Sequence, residues 1–163
     1  MSIREAMVRF EQLHKDFKAG AFKSPESRKF YESERDDFLR ALLQAQQLAM
    51  RPGQSPRQAL RVAATVPLTL HIGPRVETGT TADLASAGFC AIIGVPLALR
   101  ILCDFELAGD EPLKGRARVV ASTREGAGTY RTSFAIETMP DADRTRLEVA
   151  VVDVALAAIP RTR

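Results

Sequence analysis

The chain has 163 residues, of which 45% are hydrophobic and 26% charged, with a formal charge of +3; that is the balance of one ordinary folded domain with a small appendage. The charge is too mild for the dense basic stripe of a general nucleic-acid binder, and it leaves room for a local anion site. No apolar run approaches the ~18 residues of a membrane span, and the charged start MSIREAMVRFEQ does not read as a signal peptide, so a cytoplasmic bacterial-type protein is expected.

Residues 2–19 predict a helix. Ser2 and Glu5 have capping-box spacing, Ile3, Met7, Phe10, Leu13 and Phe17 form one stripe, and Gly20 is the expected stop. Ser24-Pro25 restarts a helix, with Ser as cap and Pro in the first turn. It is expected to run to about Met50, with Phe30, Tyr31, Phe38, Leu42, Ala45 and Ala49 on its apolar face. Residues 1–50 therefore form an αα-hairpin. Its apolar stripe is too large to stay wet, and a two-helix hairpin buries little alone, so a homodimer through these helices or an unidentified protein partner is expected.

RPGQSP, residues 51–56, is a linker, since two prolines and a glycine forbid helix. Residues 57–163 form the second domain, where the period changes. Strands are expected at about 61–72, 76–84, 88–94, 99–107, 113–123 and 129–137, separated by Gly- and Pro-bearing breaks. Six antiparallel strands in so short a span favour a small closed barrel. Pro140-Asp141 then opens a final helix with Leu147, Val151, Val154, Ala155 and Ala158 on one face. The expected class is mainly β with flanking helices.

Cys90 and Cys103 stand in apolar stretches and read as reduced core residues. His14, on the polar edge of the first helix, and His71, near a strand end, have no partner at metal-ligand spacing. No serine has a pattern for nucleophilic catalysis. No enzyme, metal or cofactor is expected. Arg116, Arg118 and Arg131 lie on expected strands and read as solvent-facing, with at most one or two in reach of a ligand.

The chemistry concentrates in PRQALR and TADLASAGF. Arg57 and Arg61 stand four apart at the mouth of the first strand. A guanidinium fork suits phosphate and the acceptor edge of guanine. The complement to guanine's donor edge, N1–H and N2–H2, would be a carboxylate, and Asp83 supplies one. Gly88 follows at a turn that wants a residue tolerant of positive φ.

Arg57-x-x-x-Arg61, then Asp83-x-x-x-x-Gly88, resembles the PilZ domain family, with its RxxxR and (D/N)xSxxG motifs. RVAATVPLTLHI, KGRARVVAS and GTYRTSFAIE also resemble the family's strands. The resemblance covers residues 57 to about 158. It implies a six-stranded barrel with a C-terminal helix and a non-enzymatic receptor for cyclic di-GMP, a bacterial second messenger. Arg57 and Arg61 would hold phosphate and guanine, Asp83 a guanine edge, and Gly88 would shape the turn. Binding would reorder the N-terminal arm and pass the signal to a protein partner, in motility regulation for example. Ala85 occupies the family's Ser position, with Ser86 one place later. A lost neutral hydrogen bond costs roughly 0.5–1.5 kcal/mol, which weakens a site without abolishing it. The alternative is a PilZ-like adaptor that has lost its nucleotide and works through protein contacts.

Overall fold

The structure, a computed structural model, describes residues 3–48 and 60–158. They group into two compact units, Met1–Leu60 with Ala155–Arg163, and Arg61–Val154.

The first unit contains the hairpin. Helix α1 is Ile3–Lys18 and α2 is Pro25–Leu48. Gly20 stops α1 with φ +84°. Around it Ala21 N–H donates to the Asp16 carbonyl and Gly20 N–H to that of Phe17, the paired bonds of a glycine-ended helix. Ser24 caps α2: Ser27 N–H donates to its hydroxyl at 3.1 Å. Ser2 and Met50 lie outside the described residues.

Phe10, Phe17, Tyr31 and Phe38 stack between the helices, with Phe17 and Tyr31 centroids 3.8 Å apart. Two details of the expected stripe are corrected. His14 is buried in this stack, not on a polar edge, and its Nδ1 shares a 2.7 Å hydrogen bond with the Tyr31 hydroxyl. It takes the inward place assigned to Leu13, since 7, 10, 14 and 17 follow the helix period more closely. Phe30 is 52% exposed, because Tyr31 next to it takes the interior.

The second unit is a closed six-stranded antiparallel barrel with a C-terminal helix. A two-residue β1 (Val62–Ala63) precedes β2 (Pro67–Ile72), β3 (Arg75–Ala85), β4 (Gly88–Ile93), β5 (Leu102–Leu107), β6 (Leu113–Gly126) and β7 (Thr129–Thr138). The order is β1-β3-β2-β5-β6-β7-β4, and pairing of β4 with β3 closes the ring. Inward residues alternate along each strand. Leu68, Leu70, Phe89, Ala91, Phe105, Leu107, Val119 and Phe134 fill the interior, with Phe89 against Phe105 and Phe134.

The single strand expected over 61–72 is broken. Between β1 and β2 the chain bends at Ala64–Val66, and Thr81 of β3 braces the bend. Its hydroxyl donates to the Ala64 carbonyl at 2.6 Å and accepts from Val66 N–H at 2.8 Å. The strand expected from 99 starts at Leu102, because Arg100 adopts φ 71°.

Helix α3 is Asp141–Ala158, and side chains fasten its first turns to the barrel. Asp143 accepts Lys114 N–H at 3.0 Å and pairs with Arg146. Arg146 also donates to the Glu111 carbonyl at 2.9 Å, and Arg144 to that of Ser86 at 3.3 Å. The Lys114 backbone N–H first, and the Arg146 guanidinium after it, hold the Asp143 carboxyl below the usual carboxylate range. Leu147, Val151 and Ala155 are buried as expected, joined by Val152 and Leu156, whereas Ala158 is exposed.

Candidate ligand-binding face

The β3–β4 hairpin carries four of the six residues singled out in the sequence. Cross-strand partners share a face of the sheet, so the register lays out rows across β3, β4 and β7. One runs Ala85–Gly88–Ala135, the next Asp83–Cys90–Ser133, and the third Thr80–Ile92–Arg131. Small side chains dominate the first two, leaving a low floor with Asp83 at its edge.

Asp83 follows a bulge, since the register shifts between Thr81 and Asp83. Its side chain is 16% exposed, and one oxygen lies 3.7 Å from an Arg131 nitrogen. The other, Oδ1, is buried with no hydrogen-bond partner among the described residues. A buried acceptor left unpaired costs about 1–3 kcal/mol, and such groups are rare.

Arg61 enters beside this carboxylate. β1 pairs Val62 with Leu84 and Ala63 with Asp83. One step further back, strand alternation puts Arg61 on the Asp83 side, level with Ala85; Arg61 is exposed. Arg57 lies outside the described residues. Ala85 is buried, and Ser86 sits in the turn, where its carbonyl is held by Arg144.

Gly88 requires a correction. The positive-φ glycines among the described residues are Gly20, Gly73 and Gly128, and Gly88 is not one of them. Its constraint is space: a Cβ there would lie 2.2 Å from the Phe134 carbonyl oxygen on β7. It is glycine so that two backbones can approach, not so that the turn can form.

A family model described as the PilZ domain matches residues 55–152. The chain belongs to the PilZ domain family. No curated protein matches it. Among solved structures, the chain is similar to the PilZ domain with c-di-GMP of YcgR from Escherichia coli. That match has TM-score 0.54 and 15% identity over 64% of this chain and 95% of that one. It is also similar to the Bacillus subtilis inhibitor of motility MotI/DgrA, with TM-score 0.56 and 10% identity over 65% of this chain. A third match is K. pneumonia MrkH, with TM-score 0.53 and 18% identity over 67%. The chain spans 54% of the length of MotI/DgrA and 52% of that of MrkH. These likenesses show the PilZ fold.

Elsewhere on this PilZ barrel lies an open cleft of about 560 Å³, lined by His71, Asp104, Glu106, Lys114, Arg116 and Met139 among others. Within it Arg116 bonds Asp104 at 3.2 Å. Cys103, nearby on β5, is buried and donates to the Ala117 carbonyl at 3.6 Å. Burial, and after it the Asp104 carboxylate, push its thiol up to about 11, which keeps it an inert thiol at neutral pH. Among the described residues no group of three metal-ligating side chains forms, and no helix is long and apolar enough to cross a membrane.

Arg131 stands in the sequence among three strand arginines, at most one or two in reach of a ligand, and is not distinguished there from Arg116 and Arg118. It lies 48 positions from Asp83 in the chain, and only the β3–β4–β7 register brings the two together. No local signal carries that pairing.

Proposed function

We propose that the chain is a non-enzymatic receptor that binds cyclic di-GMP on the β3–β4 face. One observation carries this: Asp83 Oδ1 is buried and unpaired on the face toward which β1 leads Arg61. Guanine's adjacent N1–H and N2–H2 donors would satisfy a carboxylate with an unused oxygen. Guanidiniums at Arg61 and Arg57 would take phosphate and the base's acceptor edge by paired, charge-assisted bonds. The c-di-GMP complex of the YcgR PilZ domain supports the same ligand for this fold.

Ala85, Ser86 and Gly88 form the hairpin end beneath the ligand. The missing hydroxyl at Ala85 weakens binding without removing the charged contacts. Seating the ligand would order the segment before β1, and that change would be passed through the helical hairpin to a protein partner or a second copy. This gives the ligand the differential contact that any switch requires. The inhibitor-of-motility relative suggests motility as the process, and the setting would be the cytoplasm.

Buried Ala85 favours a second reading, a nucleotide-free adaptor. Calorimetric titration of cyclic di-GMP into the wild type and into Arg57→Ala/Arg61→Ala separates the two. Micromolar or tighter binding, lost in the double variant, is expected. A folded wild type that gives no heat at tens of micromolar leaves the adaptor.

A further inference from the structure

The barrel's strand arginines are mostly spent. Arg75 bonds Glu77 at 2.9 Å, Arg116 bonds Asp104 at 3.2 Å, Arg118 pairs with Glu137 at 3.0 Å, and Arg124 donates to the Gly126 carbonyl at 3.3 Å. Arg131 is different. Its nearest carboxylate oxygens, on Asp83 and Glu125, are 3.7 and 3.8 Å away, both beyond hydrogen-bond reach. Two carboxylates hold the guanidinium in place by charge without using its donors.

Its neighbour is equally unspent. Asp83 keeps a buried oxygen without a partner while standing beside a cation with five N–H groups. A pair serving only the fold would close to about 2.8 Å and satisfy both groups. Here acceptor and donor face the same way, from β3 and β7, with β4 between them. They lie too close together to ignore each other and too far apart to bond.

Resting on the receptor reading above, we infer that Arg131 donates to O6 of the guanine whose N1–H and N2–H2 are held by Asp83. O6 is the position next to N1 on that base edge, so one base would meet an acceptor on the protein where it donates and a donor where it accepts. Adenine reverses both, placing an amino group at the guanidinium and a bare N1 at the carboxylate. Arg131 is therefore a specificity-determining residue set by the barrel itself, whereas Arg57 and Arg61 come from the segment leading into it.

The test is calorimetric titration of cyclic di-GMP and of cyclic di-AMP into the full chain, for the wild type, Arg131→Ala and Arg131→Lys. Arg131→Ala is expected to melt with the wild type, since the side chain is half-exposed, and to bind at least about tenfold more weakly. Its preference for cyclic di-GMP over cyclic di-AMP is expected to shrink, because only guanine offers O6; losing a phosphate contact would weaken both nucleotides alike. Arg131→Lys, which presents one point donor instead of a fork, is expected to fall between them. Unchanged affinity in Arg131→Ala, or a loss that falls equally on both nucleotides, overturns this inference and leaves the receptor reading standing. A folded wild type that does not bind overturns both.

Discussion

Three aspartates of the barrel unit each have an arginine neighbour, and the three pairs are built differently. Asp104 and Arg116, on β5 and β6, are 61% and 56% exposed and bond at 3.2 Å. Asp143 and Arg146 close tightly at the start of α3, with a backbone N–H added. Asp83 and Arg131 stay 3.7 Å apart although Asp83 is the most enclosed of the strand carboxylates in these pairs. The strand pair whose carboxylate water could have satisfied is closed, and the one whose carboxylate is enclosed is left open. An exposed pair contributes about 0–1 kcal/mol whether or not it forms. A shielded open one carries a standing cost, which makes sense where a third party supplies the missing bonds.

The floor beneath the open pair is the place to break this contrast most severely. Gly88→Ala drives a Cβ into the Phe134 carbonyl, backbone against backbone, with no flexible side chain to yield. A loss of about 3 kcal/mol in stability is expected, read by chemical denaturation, together with loss of ligand binding. Ala87, one place earlier in the same turn and exposed, is the control: Ala87→Gly should cost far less.

Removing the open carboxylate should do the reverse. Asp83→Ala deletes an unpaired buried oxygen and leaves Arg131 beside Glu125. The melting temperature is expected to rise by about 3 °C, corresponding to about 1 kcal/mol, while cyclic di-GMP binding disappears. Asp104→Ala, the same deletion in the closed exposed pair, should change neither by a measurable amount. A fall in melting temperature at position 83 would show that the pair is a structural one.

The third pair responds to acid. The folded Asp143 carboxyl titrates below its unfolded value. Its contribution is therefore complete above the unfolded value, near 3.9, and is lost as pH falls through the lower folded one. The wild type should lose melting temperature below about pH 4, and Asp143→Asn should flatten that decline while lowering the neutral-pH value slightly. Thermal melts from pH 7 to pH 3 read both.

Much of the fold was legible because its signals are local. Ser24-Pro25 and Gly20 end and restart helices through bonds to residues within five positions. The strands follow from alternation and their breaks. Misreadings fall where a distant residue decides. Thr81 interrupts the strand expected over 61–72 by taking bonds from Ala64 and Val66, fifteen or more positions earlier. The positive φ expected at Gly88 is absent, since what demands glycine there is Phe134 on another strand. His14, which the helix period itself favours over Leu13, finds inside the hairpin a partner no local pattern shows, the Tyr31 hydroxyl. At the candidate site the motif residues could be found by spacing, but Arg131 could not, because its relation to Asp83 exists only in the closed sheet.

The Thr81 brace has a mechanical consequence. Barrel closure runs through β2, β3 and β4, and β1 adds only two residue pairs to the outside of that ring. The clip at Thr81 sits at the junction, fastening the chain where β2 begins, and β1 upstream of it is paired over two residues. Opening β1 would break those two pairs and expose buried Val62, while the ring behind it keeps its own pairings. In the proposed receptor, ligand release through Arg61 would then open a strand outside the ring and leave barrel closure intact.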